Sequence, residues 1–386
     1  MKSKDLFADE FSETREHPAE REERRAERKR GFDWTVFFIL SAIVVVGLVI
    51  TPSAGYFKLL EKSTGYLQYL LDHIVRVVIG VFTGFVFYLI SPRVLIRNRF
   101  VFVGFSVLFL ILVLIFSPYK YHRWLVIGPV TFQPSEFAKL AILLYVAGFT
   151  AKGLQRDRSI VRNFLKPMLI VGLNVFFILV EPNVSTSVIL VTIATAQLFV
   201  GGLRFKSVLV FVAFALLVTS AGIRLSANAR ERFENFINKK HLMKGEQVYY
   251  ARQAIKNGGF VGVGIGKGSH KFYYLLRQAD TDFVYAVIGE EMGFVGTAGV
   301  LALFLALYFF VIKRITRFYR DMEYRVLAFG IVFTFVLYAF INMATSLGFI
   351  PATGVPMPFV SYGGSAMMIN MALAGILLRI LREKNA

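Results

Sequence analysis

The sequence predicts an all-α polytopic membrane protein of about ten transmembrane helices. Both termini are expected in the cytoplasm, with one long extracytoplasmic loop between spans seven and eight. Three observations carry this. Of the 386 residues, 56% are apolar, 40 are phenylalanine and only 18% are charged, whereas soluble domains run near about a quarter charged. Apolar runs able to cross a hydrocarbon core of about 30 Å recur through the chain, centred near Ile43, Val81, Phe109, Leu143, Val171, Thr192, Ala213, Leu301, Phe333 and Met371. The short loops that would then face the cytoplasm are all basic, as the positive-inside rule requires.

The net charge of +19 would suggest a nucleic-acid partner in a soluble protein. Here residues 1–33 hold nine Lys/Arg against ten Asp/Glu, so the excess lies in the hydrophobic remainder and no nucleic acid is expected. The absence of cysteine excludes disulfides, thiolate metal sites and cysteine nucleophiles.

Residues 1–31 form a polar tail ending in Arg24, Arg25, Arg28, Lys29 and Arg30. A secretory signal would place its apolar core near the N-terminus with a cleavage site after it, so the tail reads as a cytoplasmic extension whose arginines meet anionic lipid. Residues 32–386 read as one membrane domain. The inner loops carry Arg93, Arg97 and Arg99, then Lys152 to Lys166, then Arg204 and Lys206, then Lys313 to Arg325. The outer connection YKYHRWLVIGPVTFQPSE is aromatic, and that between spans five and six is a turn at Glu181-Pro182. The stretch from about residue 224 to 282 has eleven Lys/Arg against five Asp/Glu. Long loops translocate largely regardless of charge, so these cations call for a ligand.

Ionisable residues at membrane depth are costly and mark sites. Glu136 and Lys139 open span four at i, i+3, on one helix face where they can pair; a purely structural ion pair is the alternative reading. Ser135 is expected to cap that helix. Asp280 and Asp282 lie where the long loop meets span eight, placing a carboxylate at the water–membrane boundary as a general base, with one of the two free to cap the helix. Glu290 lies near the Asp282 face of a straight helix and Glu291 turns away. The run NGGFVGVGIGKGSHK offers either a phosphate-cradling turn with Lys267 and Lys271 beside it, or a flexible loop. GFIPATGVPMPFVSYGG is irregular backbone at the membrane edge, tolerated where it lines a cavity. Trp124 is either a site residue or an interface anchor. These features together suit a lipid with an anionic headgroup and a sugar-like part; there is no GxxxxGK[ST] for ATP.

Four blocks resemble the SEDS family (shape, elongation, division and sporulation): 123–141, 257–297, 341–364 and, more weakly, 181–187. The similarity runs from about span one to the C-terminus, and the KFYY and IGEE runs lean towards its FtsW and SpoVE branches rather than RodA. It implies a peptidoglycan glycosyltransferase in the bacterial cytoplasmic membrane that polymerises lipid II on the outer face, for division or elongation, with a class B penicillin-binding protein as partner. By that resemblance Asp282 matches the essential aspartate, and Glu136, Lys139 and Trp124 match functional positions. Arg252, Gln253, Lys267, Lys271 and Ser361 join them as residues that bind substrate or its diphosphate or organise the site. Asp280 stands where His is usual, LLRQ replaces a Leu-Pro-Glu-like run, and Asn183 replaces an aspartate. No cofactor is required, and a divalent cation, Mg or Mn, stays open at the diphosphate. A lipid II flippase and a non-catalytic scaffold are the competing classes.

Overall fold

The computed structural model describes residues 31–55, 66–118, 123–127, 130–153, 165–203, 206–270, 278–318 and 321–383. In chain order its helices are α1 (Trp34–Ala54), α2 (Tyr66–Leu89), α3 (Pro92–Arg97), α4 (Arg99–Phe116), α5 (Pro134–Gly153), α6 (Lys166–Val180), α7 (Val184–Val200), α8 (Lys206–Leu225), α9 (Ala227–Ile237), α10 (Gln247–Gly258), α11 (Val284–Phe318), α12 (Met322–Leu347) and α13 (Gly364–Arg382). A two-stranded antiparallel hairpin, β1 (Leu125–Ile127) and β2 (Val130–Phe132), precedes α5. Each of the ten expected span centres falls inside a helix. Six of these helices (α1, α2, α4, α11, α12 and α13) are long and apolar enough to cross a membrane, while α6, α7 and the second half of α8 are shorter apolar helices.

Helix α5 is the most enclosed: every residue from Ala138 to Gly148 is buried. Helices α2 and α13 meet backbone to backbone, since a Cβ on Gly375 would collide with the Gly84 carbonyl; small residues permit this approach where water supplies no hydrophobic drive between helices. Large apolar side chains such as Phe38, Phe82, Phe85, Leu169 and Phe176 point outward, a surface suited to lipid rather than water.

The bundle has two unlike ends. At one, Arg93 pairs with Asp321 at 3.1 Å and Arg314 with Asp33 at 3.1 Å, while Arg379 pairs with Glu383 at 2.9 Å. Asp33 also caps α1 by accepting from the Val36 N–H. The other end carries the carboxylates at the start of α11, the hairpin and the irregular segment 348–363. The second part of that segment, from Met357 to Ser361, is buried by protein: the Thr51 hydroxyl donates to the Val360 carbonyl, and Gly47 leaves room for the Phe359–Val360 backbone.

Two local expectations change. The stretch after residue 224 is folded, with α9 capped by Ser226, a 3-10 turn at Lys240–Leu242, and α10. Ser135 does not cap α5, which begins at Pro134, and its hydroxyl is buried without a hydrogen-bond partner. Proline suits a first helical position because its missing N–H would be unpaired there in any case.

Candidate active site at one end of the bundle

Helix α11 breaks at Gly293, whose φ is +64°. The backbone groups this frees at membrane depth need partners, and the glycine-rich run supplies them. Val263 and Gly264 N–H donate to the Glu290 and Glu291 carbonyls, each at 3.0 Å, while Phe294 and Val295 N–H donate to Gly259 and Phe260 carbonyls at 2.9 and 3.1 Å. A Cβ on Gly258 or Gly262 would strike this same backbone, which is why glycine stands there.

The two glutamates complete the staple. Glu290, fully buried, accepts at Oε1 from Asn257 at 3.0 Å, from the Ser269 N–H at 2.9 Å and from His270 Nδ1 at 2.8 Å. Glu291 accepts from Ser53 at 2.6 Å and from the Gly266 N–H at 3.0 Å. Both earlier readings of the run are thereby corrected: these N–H groups face carboxylates of the chain itself rather than a phosphate, and the loop is tied down. Glu291, read as turned away from the Asp282 face, is enclosed by the returning loop and α1.

The segment 280–282 is held at all three carbonyls. Tyr362 N–H donates to the Asp280 carbonyl at 2.8 Å, Ser361 Oγ to that of Thr281 at 2.6 Å, and Asn342 Nδ2 to that of Asp282 at 3.0 Å. Asn342 also donates to the Val355 carbonyl at 2.9 Å, and Ser361 accepts from the Met357 N–H at 2.8 Å. The two aspartates part company here. Asp280 is buried, its Oδ2 accepting from Tyr69 at 2.6 Å, whereas Asp282 is half-exposed. A Cβ on Gly354 would lie 3.5 Å from Asp282 Oδ2 and 3.9 Å from Arg232 Nη1, so carboxylate and guanidinium flank one gap; the Gly354 φ of +68° suits glycine.

Arg232 donates to the Ala352 carbonyl at 2.9 Å and also lines a cavity of about 450 Å³. Arg123, the turn Pro182-Asn183 and Gln278 line it too. Arg123 donates to the Glu181 carbonyl at 3.1 Å and to that of Pro182. Asn183, where the family has aspartate, caps α7 by accepting from the Thr186 N–H at 3.4 Å.

The expected site residues are thus dispersed. Lys139 Nζ is 2.8 Å from Glu136 Oε2, donates to Asn370 Oδ1 at 3.1 Å and lies 4.4 Å from the Tyr338 ring centroid, all buried. Trp124 is half-buried just before β1, Gln253 is half-buried on α10, and Arg252 and Lys267 are exposed. Lys271 lies outside the described residues. Ser361 organises the loop through its hydrogen bonds. Sequence reasoning missed Arg232, Arg123 and Tyr69 altogether, and did not single out Asn342 for a role, although a lone amide in an apolar helix was a legible signal. Among the described residues no group of three or more His, Asp or Glu could hold a metal ion.

Glu181 is fully buried and neither carboxylate oxygen has a hydrogen-bond partner. Burial pushes its carboxyl up to about 9, although Arg123 pulls the other way. A carboxyl raised in the folded state binds a proton that the unfolded state has released above its ordinary value near 4.5, so its stability contribution is present below about pH 4.5 and falls as pH rises towards 9. Glu181→Gln is expected to flatten that decline, raising the thermal midpoint at pH 8 by a few degrees while leaving it unchanged at pH 5, as differential scanning fluorimetry will read.

Fold and site define a class: a polytopic helical membrane protein with Asp280, Asp282, Arg123 and Arg232 at one end of the bundle. A family model described as cell cycle protein, FTSW_RODA_SPOVE, matches residues 33–386, and the chain belongs to that family. A relative from Coxiella burnetii (strain RSA 493 / Nine Mile phase I), named probable peptidoglycan glycosyltransferase FtsW, is 31% identical over 91% of this chain and 96% of its own. One of the same name from Pasteurella multocida (strain Pm70) is 35% identical over 72% of each. Among solved structures, a chain from a study of "structural coordination of polymerization and crosslinking by a peptidoglycan synthase complex" superposes with a TM-score of 0.75 at 28% identity, over 91% of this chain and 98% of the other. The crystal structure of Thermus thermophilus rod shape determining protein RodA gives 0.68 at 25% identity, over 93% and 99%.

Proposed function

We propose that this chain is a peptidoglycan glycosyltransferase that polymerises lipid II into glycan strands at the extracytoplasmic face of the cytoplasmic membrane, paired with a class B penicillin-binding protein. The reading rests on the half-exposed Asp282, fixed at its main chain and facing a guanidinium across a gap, in a family whose relatives carry the glycosyltransferase name. The FtsW name of those relatives supports the division branch. Ten spans with both termini inside put this end outside and the arginine-rich end in the cytoplasm.

In the reaction the 4-hydroxyl of the acceptor's GlcNAc attacks the anomeric carbon of the donor, and the bond to the lipid diphosphate breaks. Asp282 takes the hydroxyl proton, while positive charge stabilises the departing diphosphate. No cofactor enters; a divalent cation on the diphosphate is compatible with this scheme. A flippase would need an equally equipped vestibule at the other end, where charged side chains pair between helices instead. The deciding experiment incubates the purified chain in nanodiscs with lipid II, alone and with the transpeptidase. Glycan strands are expected; lipid II movement across vesicles without strands would reverse the reading.

Asn342 and Ser361 act as positioning residues. Asn342→Ala frees three carbonyl contacts at 280–282 and Val355, at a cost of about 1–3 kcal/mol for the buried acceptors left unpaired. Strand formation is expected to drop at least about tenfold through turnover rather than KM, because Asp282 loses its placement.

A further inference from the structure

Of the cations first considered for the diphosphate, Lys139, Arg252 and Lys267 do not line the cavity. Lys139 is closed off in its ion pair, Arg252 and Lys267 are exposed on α10 and the stapled loop, and Lys271 lies outside the described residues. Among the described residues, the charged side chains that line the cavity are Arg123 and Arg232. They reach it from chain segments more than a hundred residues apart, one before β1 and one on α9.

Resting on the glycosyltransferase reading, we infer that Arg232 and Arg123 hold the donor's diphosphate in this cavity, with Arg232 nearer the reacting carbon. Three observations converge. Each guanidinium is anchored to main-chain carbonyls, Arg232 to Ala352 and Arg123 to Glu181 and Pro182, which fixes a fork of N–H donors matched to phosphate oxygens. The N-terminus of α7 opens onto the same space at Asn183, Val184 and Ser185, adding a dipole that favours an anion. The remaining wall is mixed: Thr219, Ser226, Asn228 and Thr353 lie beside the apolar Ile189, Ile223, Phe233 and Ile350, so an amphiphile with a diphosphate head and a prenyl chain finds both polar and apolar contacts there.

Arg232 borders both the cavity and the Asp282 gap. That geometry divides the labour: the new C–O bond forms on the Asp282 side, where the acceptor hydroxyl loses its proton to the carboxylate. The anomeric C–O bond breaks towards the cavity, and its electron pair leaves on a diphosphate oxygen facing Arg232. Arg123 holds the distal phosphate against the α6–α7 turn.

The test uses the full chain in nanodiscs with its transpeptidase partner. Undecaprenyl diphosphate binding is measured on the catalytically silent Asp282→Asn background, and polymerisation on the otherwise unaltered chain. Arg232→Gln is expected to weaken undecaprenyl diphosphate binding at least about tenfold and to lower turnover about a hundredfold, with Arg232→Lys recovering part of both. Arg123→Gln is expected to weaken binding similarly with a smaller loss of turnover. Arg97→Gln, at the opposite end, serves as the control and changes neither. Unaltered diphosphate binding in Arg232→Gln and Arg123→Gln overturns the assignment, whether or not polymerisation falls. A wild-type chain that makes no strands overturns the underlying reading instead, so the two failures are told apart.

Discussion

Asp282→Asn is expected to lower lipid II polymerisation by about two to four orders of magnitude, the range general-base removal covers, with the thermal midpoint nearly unchanged. The substitution keeps the side chain's shape and its capacity to accept one hydrogen bond, and it removes the ability to take a proton. Its main chain does not depend on the carboxylate, because Tyr362, Ser361 and Asn342 hold the carbonyls of residues 280–282. The variant therefore isolates chemistry from folding. KM for lipid II is expected to stay within about threefold, since the arginine-lined cavity is left intact. Asp282→Glu tests placement: the longer arm carries a base into the Gly354 gap but misdirects it, and a partial loss of about tenfold to a hundredfold is expected. Polymerisation by Asp282→Asn within threefold of wild type would remove the base from this residue. Asp280→Asn is the companion measurement. Its side chain is buried against Tyr69, so its effect is expected on stability before rate.

The parts of this architecture that were legible in the sequence are those set by local periodicity. Apolar runs located every helix that the bundle uses at its ten expected centres, and i, i+3 spacing joined Glu136 to Lys139. What was not legible depends on the chain returning on itself. A helical wheel drawn through 282–292 places the side chains but not what packs on them: Gly293 breaks the helix, and the glycine-rich run comes back to fill the break. Glycines followed by lysines look like an anion cradle; only the fold reveals that Glu290 and Glu291, more than twenty residues on, are the anions they enclose. Arg232 is one of eleven cations in a long basic stretch, and no neighbouring residue marks it out. Its partners, the Ala352 carbonyl and the gap at Gly354, lie some 120 residues away. Asn342 was different in kind, because an amide inside an apolar helix already signals a buried partner. Which carbonyls it would hold was a tertiary fact.

The Glu136–Lys139 pair carries the second large effect. Lys139 is buried to 1% exposure and Glu136 to 4%, so removing one charge strands the other without water. Lys139→Met is expected to destabilise the protein by about 3–5 kcal/mol, the cost of breaking a buried pair by deleting one partner. Replacing both, Glu136→Gln with Lys139→Met, removes the stranded charge and is expected to restore most of that loss. The double-mutant cycle in thermal or denaturant melts reads this as a large coupling energy. Activity is expected to diverge from stability. Lys139 also ties α5 to α13 through Asn370 and packs its cation on the Tyr338 ring of α12, and α5 follows the hairpin whose Gln133 N–H and Thr131 carbonyl meet Ser365 at the start of α13. Methionine fills the volume without making the Asn370 bond. The double variant is therefore expected to fold near wild-type stability yet polymerise at least about tenfold more slowly. If polymerisation instead returned together with stability, the pair would be a scaffold for α5 alone, and the hairpin's seating on α13 would have to depend on Ser365 rather than on Lys139.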